Sequence, residues 1–199
     1  DRDFVYWVSY GTPATDFKAH SDGRVERVTK DGSRRETLAS GLSGPYGLAL
    51  DEQFVYFSET GLAIGNRSAG VRRISKSVGS IVHLYEGGVG RVVVTDSELF
   101  LLTENYDRLK TEIRRMPKSG GTARRIVDDR LVIHSNMVVF DKRLYYTTIQ
   151  RLGAIASVTL DGRARVVHLD AGINSDNFLV DGCAIYVATP VQYLWRIAR

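Results

Sequence analysis

Leu48-Ala-Leu-Asp51, Val92-Val-Val-Thr-Asp96, Met137-Val-Val-Phe-Asp141 and Phe178-Leu-Val-Asp181 are versions of one phrase, and their aspartates recur at intervals of 45, 45 and 40 residues. Each is followed at once by a second apolar run: Phe54-Val-Tyr-Phe57, Leu99-Phe-Leu-Leu102, Leu144-Tyr-Tyr-Thr147 and Ala184-Ile-Tyr-Val187. Short runs rich in β-branched and aromatic residues, bounded by turn residues, read as strands. No window of comparable strength carries the 3.6-residue apolar spacing of a helix. A fixed period of this length, built from strands, predicts an all-β repeat protein.

Each repeat resolves into four strand signals. The second predicts strands over Leu48–Leu50, Phe54–Ser58, Gly70–Ser75 and Ser80–Tyr85. The third gives Val92–Thr95, Leu99–Thr103, Thr111–Met116 and Thr122–Val127, and the fourth Met137–Phe140, Leu144–Thr148, Ala154–Thr159 and Ala164–Leu169. Strands one and two are joined by Asp51-Glu-Gln, Asp96-Ser-Glu, Asp141-Lys-Arg and Asp181-Gly-Cys, where Asp can close a turn onto its own backbone. Strands three and four are joined by short connections at Asp31-Gly32, Val78-Gly79, Gly120-Gly121 and Asp161-Gly162.

Tight connections in the order one-two-three-four describe the four-stranded antiparallel blade of a β-propeller. The blades fall at approximately 1–43, 44–89, 90–133, 134–172 and 173–199 of a single propeller domain or fragment. Two are incomplete. Phe4-Val-Tyr-Trp-Val aligns with strand two, so the first blade lacks strand one; the last ends after Leu194–Ala198 without strand four. These ends do not complement each other within one blade. The expectation is therefore an open segment of a propeller with six or more blades, its exposed edges prone to association.

The 199 residues are 43% hydrophobic and 25% charged, a balance that supports a folded core and argues against disorder. No apolar stretch is long enough to span a bilayer. The chain begins at Asp1 without an initiator Met or a leader pattern, which predicts a processed form or a domain of something longer. The net charge is only +4, and the basic residues are dispersed pairs: Arg34-Arg35, Arg72-Arg73, Arg114-Arg115 and Arg124-Arg125. A nucleic-acid binder concentrates them on one face; these pairs read as solvated strands, and no nucleic-acid partner is expected. Cys183 stands alone at the start of an apolar strand and reads as a small buried hydrophobe.

The stretches Phe4-Val-Tyr-Trp-Val-Ser9, Gly23-Arg-Val-Glu-Arg-Val-Thr-Lys-Asp-Gly-Ser-Arg-Arg35 and Leu38-Ala-Ser-Gly-Leu-Ser-Gly-Pro-Tyr-Gly-Leu-Ala-Leu-Asp51 run in one order. That order resembles the YWTD repeat of LDL-receptor-type propellers. It is equally similar to the repeats of NHL and SMP-30/gluconolactonase-like six-bladed propellers and of bacterial secreted propeller proteins. The resemblance implies an extracytoplasmic or secreted setting, which the lone cysteine permits.

In such a fold the two-to-three loops and the blade-to-blade loops share one face, and the remaining turns share the other. Here the second face has uniformly short turns. The first carries unequal insertions at Tyr10–Asp22, Thr60–Ala69, Asn105–Lys110, Gln150–Gly153 and Pro190–Tyr193. Repeat proteins place variable insertions on the binding face. Candidate binding residues there are Tyr10, Phe17, His20, Asn66, Arg67, Tyr106, Arg108 and Tyr193. A second ring, five residues before each repeat Asp, lies at the mouth of the central channel: Tyr46, Arg91, Asn136 and Asp176.

Resemblance to SMP-30-like lactonases implies metal ligation at that ring. Asn136 and Asp176, with His134, Asn174 and Asn177 nearby, could hold a divalent cation such as calcium or zinc. Tyr46 and Arg91 at the other entries depart from that pattern. Trp7, Trp195 and the strand-two tyrosines are expected to pack between blades, and His83 and His168 to lie on outer strands. The leading expectation is a non-catalytic binding or scaffold module that presents its loop-rich face to a protein or glycan and needs no cofactor. A metal-dependent lactonase-like hydrolase and a purely structural array are the alternatives.

Overall fold

In the computed structural model, which describes residues 1–12, 22–59, 69–77, 79–105, 110–128, 136–148, 153–170, 177–188 and 194–198, eighteen strands form five antiparallel sheets. The first sheet holds β1 (Phe4–Ser9), β2 (Gly23–Thr29) and β3 (Arg35–Leu42). The second holds β4 (Pro45–Leu50), β5 (Phe54–Glu59), β6 (Gly70–Ser75) and β7 (Val82–Glu86). The third is β8 (Val89–Val94), β9 (Glu98–Asn105), β10 (Lys110–Pro117) and β11 (Arg124–Val127). The fourth is β12 (Met137–Phe140), β13 (Arg143–Thr148), β14 (Ala154–Thr159) and β15 (Val166–Asp170), and the fifth β16 (Asn177–Val180), β17 (Ala184–Ala188) and β18 (Leu194–Ala198). Within each sheet, spatial order follows chain order. The terminal strands lie in separate three-stranded sheets, so the blades form an open arc.

The inner strands β4 and β8 begin earlier than their apolar runs. Pairing of β4 with β5 shifts register between Pro45 and Leu48, and pairing of β8 with β9 shifts between Val89 and Arg91. A bulge inserts a residue and breaks the period-2 pattern while the ladder continues. Alternation therefore locates the core of each inner strand and misses its entry.

Strand two of each complete blade is apolar on both faces because blades pack on both sides of it. Along β9 successive side chains point opposite ways: Leu99 and Leu101 pack with Tyr56, Val71 and Val89, whereas Phe100 and Leu102 pack with Met137, Leu144 and Tyr146. Similar layers join the first blade to the second through Val25, Leu42, Val55 and Phe57, and the fourth to the fifth through Tyr145, Ile155, Phe178 and Ile185. Each fully buried side chain of this size stabilises by about 1.5–3 kcal/mol. The interblade layers are the core.

A polar coupling runs along the short-turn face. Asp51 accepts hydrogen bonds from the backbone N–H groups of Gln53 and Phe54, which closes the β4–β5 turn. Its other oxygen accepts from the Tyr56 hydroxyl and from Lys118 Nζ of the third blade, both at 2.9 Å. Arg73 on β6 donates to the carbonyl of the same Lys118 at 3.1 Å while its guanidinium lies over the Phe54 ring. The first blade repeats the device. Asp1 accepts from Asp3 N, Phe4 N, Tyr6 Oη and Lys76 Nζ, and Arg27 donates to the Lys76 carbonyl. Asp1 is thus a fifth member of the aspartate series. In the third blade only the arginine remains, with Arg115 donating to Leu160 O.

Three expectations change here. The arginines Arg73 and Arg115 are interblade struts rather than solvated strand residues, and Arg27 plays the same part in the first blade. Cys183 is exposed, because it occupies the β16–β17 turn, where its N–H donates to Asp181. Trp7 falls on the opposite side of the pleat from Tyr6 and Val8; its indole N–H donates to Glu26, and Arg35 covers its ring.

Asp51 tests the coupling. Burial pushes its carboxyl up, but Lys118, the two N–H groups and Tyr56 outweigh that and hold it at about 2, against an ordinary 3.8. A depressed folded-state value means that its stabilisation is complete above about pH 4 and is lost as pH falls from there toward 2. The shift corresponds to about 2 kcal/mol. Asp51→Asn should lower the urea-unfolding free energy by about that amount at pH 7. At pH 2 the variant and the parent should converge.

Candidate functional site

The channel mouth is built where neighbouring inner strands touch. Gly47 on β4 and Gly90 on β8 approach so closely that a Cβ on Gly47 would lie 2.8 Å from Gly90 O and 2.8 Å from Ser58 Oγ. Buried Ser58 closes this junction. Its hydroxyl accepts from Gly47 N at 2.7 Å and donates to Gly90 O at 3.2 Å. The adjacent residues, Tyr46 and Arg91, are thereby brought together, with the guanidinium 5.2 Å from the ring centroid. A cation over an aromatic face is attracted by the ring quadrupole.

Beside this pair lies a cavity of about 290 Å³ in the channel, lined by Leu48–Leu50 of β4, Arg91–Val94 of β8, and Asn136 and Met137. Asn136 precedes β12 and joins the fourth blade to the fifth. Its Nδ2 donates to Phe178 O at 3.2 Å, and its Oδ1 accepts from Met137 N at 3.0 Å. The ring of entry residues thus combines an aromatic face, a guanidinium and an engaged amide.

The rim is held by a buried charge. Glu59, 1% exposed, accepts from Ser43 N at 2.7 Å in the loop that leads to Tyr46, and it faces Arg72 Nε at 2.8 Å. Burial raises its carboxyl above the usual range, against the opposing pull of Ser43 N–H, Arg72 and His83. Tyr10, just beyond β1, packs against Gly44 in the same loop: a Cβ there would meet its ring at 3.1 Å, and Gly44 has φ +62°. Tyr10 thus packs on the segment that leads into β4, and Arg91 packs on Tyr46 at the start of that strand.

Of the expected site residues, Tyr10, Tyr46, Arg91, Asn136 and Asn177 are described: Arg91 and Asn136 line the cavity, Tyr46 lies under Arg91, Tyr10 packs on Gly44, and Asn177 opens β16. Phe17, His20, Asn66, Arg67, Tyr106, Arg108, Tyr193, His134, Asn174 and Asp176 lie outside the described residues. Among the described residues no group of three His, Cys, Asp or Glu side chains could hold a metal. His83 and His168 lie on β7 and β15 as expected, and His168 bonds Ser157 and stacks on Tyr145. Sequence reasoning missed Ser58, Glu59 and the Gly47–Gly90 contact. The available signal was a Ser-Glu pair interrupting an apolar strand two. A second cavity, about 460 Å³, sits on the short-turn face between the second and third blades, lined by Leu50–Gln53, Val94–Asp96 and Lys118.

No family model and no curated protein matches the sequence. Solved structures do, and they are β-propellers. A chain of the nidogen/laminin complex superimposes with TM-score 0.66 at 18% identity, over 86% of this chain and 73% of that one. A gluconolactonase from Xanthomonas campestris gives 0.61 at 17% identity, over 88% and 68%. A TolB-like protein from Agrobacterium tumefaciens gives 0.68 at 14% identity, over 89% and 66%. At these identities the likeness shows the fold, a β-propeller arc, and propellers host unrelated functions.

The junction can be tested on its own. Gly47→Ala should cost about 1–3 kcal/mol by overpacking the β4–β8 contact. Ser58→Ala should cost about 1–3 kcal/mol by leaving buried backbone groups unpaired. Urea denaturation measures both, and the double variant should fall short of additivity because the two changes strike one contact.

Proposed function

We propose that this chain is a non-catalytic binding module that engages a protein partner through the loop-rich face, centred on the channel mouth. One observation carries the reading: Arg91, packed over the Tyr46 ring, lines a cavity at the channel mouth, and Tyr10 packs on the segment that leads to Tyr46. Tyrosine and arginine are the residue types most often found as interface anchors, since each combines a large apolar area with a polar tip. The nidogen/laminin neighbour supports the reading by analogy of fold, as a propeller crystallised with another protein. An extracytoplasmic setting belongs to the same proposal.

The lactonase-like alternative draws on Asn136 and Asp176. Asn136 already engages both ends of its amide, with Met137 N and Phe178 O, and no described acidic cluster stands beside it. The commitment of Asn136 to these backbone partners supports the binding reading.

Selection of displayed random peptides on the immobilised protein tests this reading. Peptides that enrich should bind Tyr46→Ala and Tyr10→Ala at least tenfold more weakly, while melting temperatures stay near that of the parent. Enriched peptides that ignore both substitutions would place the binding surface elsewhere. Preferential capture of uncharged oligosaccharides on a glycan array would replace the protein partner by a glycan.

A further inference from the structure

Six side-chain polar atoms among the described residues are buried without a hydrogen bond: Glu59 Oε2, Arg72 Nε, Arg73 Nε, Arg91 Nε, Tyr145 Oη and Thr147 Oγ1. Glu59 and Arg72 face each other as an ion pair. Arg73 donates through another nitrogen to Lys118 O. Tyr145 and Thr147 are neutral hydroxyls. Arg91 is left as a half-buried cation with a buried Nε and no carboxylate paired to it among the described residues. Its guanidinium lies over the Tyr46 ring, 5.2 Å from the centroid.

Other strand arginines pair with carboxylates, and Arg73 and Arg143 donate to backbone carbonyls. Arg27 pairs with Glu36, Arg72 with Glu59, Arg114 with Glu112, and Arg115 with Glu98. Arg91 lines the channel cavity, beside apolar Leu48, Val92 and Met137 and the engaged Asn136. A buried charged donor without an acceptor is costly, and the planar guanidinium edge matches a carboxylate in bidentate geometry. The cavity is too narrow for a folded domain and wide enough for a side chain.

We infer that Arg91 is the receptor for a side-chain carboxylate, an aspartate or glutamate that the protein partner inserts into the channel mouth. This rests on the binding reading and adds the chemistry of the inserted group. The carboxylate meets the Arg91 fork, its methylene stem lies along Tyr46 and the apolar wall, and Asn136 bounds the far side. The channel-facing residues of β4 and β12 supply no competing positive charge, since Leu48–Leu50 and Met137–Phe140 are apolar.

The test is a titration of the full chain with the capped tripeptides acetyl-Gly-Asp-Gly-amide and acetyl-Gly-Glu-Gly-amide, against their Asn and Gln counterparts. The readout is the side-chain Nε–H resonance of Arg91, assigned by its loss in Arg91→Gln. The expected result is a saturable shift with an acidic peptide and at least tenfold weaker binding of its amide twin. Arg91→Lys, which keeps the charge without the fork, should bind several-fold more weakly than the parent when both are followed by the backbone amide shifts of Val92 and Val93. Acetate, inorganic phosphate and glucuronate form further arms.

No shift at tens of millimolar peptide, or equal binding of the amide peptides, would overturn the inference. Equal or stronger binding of acetate or phosphate would reduce Arg91 to a general anion site. Stronger binding of glucuronate would assign the carboxylate to a glycan; both results overturn it as stated. The two levels separate cleanly. Selected peptides that lose binding to Tyr46→Ala but ignore Arg91→Gln leave the binding face standing and remove the carboxylate. Peptides indifferent to both remove the face as well.

Discussion

The grip of one blade on the next by Asp, Tyr and Arg is the interaction on which the arc depends. Apolar layers between blades supply most of the stabilisation, but they are non-directional and tolerate sliding. Lys118 is held at two atoms by the second blade, Nζ by Asp51 and the carbonyl by Arg73, and Lys76 is held the same way by the first. Two directional contacts at one residue fix the angle between blades as well as their distance. The same Asp51 closes its own hairpin, so one carboxylate sets both the local turn and the join.

This grip weakens along the chain. The third blade keeps Arg115 but has Phe100 where Tyr6 and Tyr56 stand, and Leu160 where the lysines stand. In the fourth, Ser157 occupies the strut position across from Tyr145, and Arg143 turns inward to Ser157 and Ala164 of its own sheet. There Asn136 crosses to Phe178 on the opposite face. The fourth-to-fifth join is therefore tied at the mouth, whereas the first two joins are tied at the turns, the second with an added tie at the mouth from Ser58 to Gly90.

Period and alternation made most of the fold legible, because both report which side chains face a neighbouring blade. β6, β12, β14, β17 and β18 run over the ranges expected from pattern alone. The entries to β4 and β8 were not legible, since a bulge suspends alternation while pairing persists. Asp1 escaped notice because the repeat was recognised by the apolar run before each aspartate, and Asp1 is the first residue of the sequence. Cys183 was misread because an apolar run was extended by one residue into a turn that Asp181 had already closed. At the site, counting back five residues from each aspartate found Tyr46, Arg91 and Asn136. It could not find Ser58 or the Gly47–Gly90 contact, which exist only between blades. Nor could it show that Asn136 points its amide at Phe178.

The repeat thus divides its positions by task. Residues fixed relative to each aspartate on the short-turn face carry near-identical chemistry in the first two blades, because each must reproduce the same join. The residue just before the Leu48, Val92 and Met137 pairings lies at the channel mouth, away from the short turns. It differs from blade to blade: glycine, arginine and asparagine (Gly47, Arg91 and Asn136) occupy it in turn. A scaffold that repeats its geometry while varying its chemistry can present a composite surface that no single blade contains. Arg91 without a partner carboxylate is tolerable in that setting because its cost falls on the mouth, outside the layers and joins that hold the arc together.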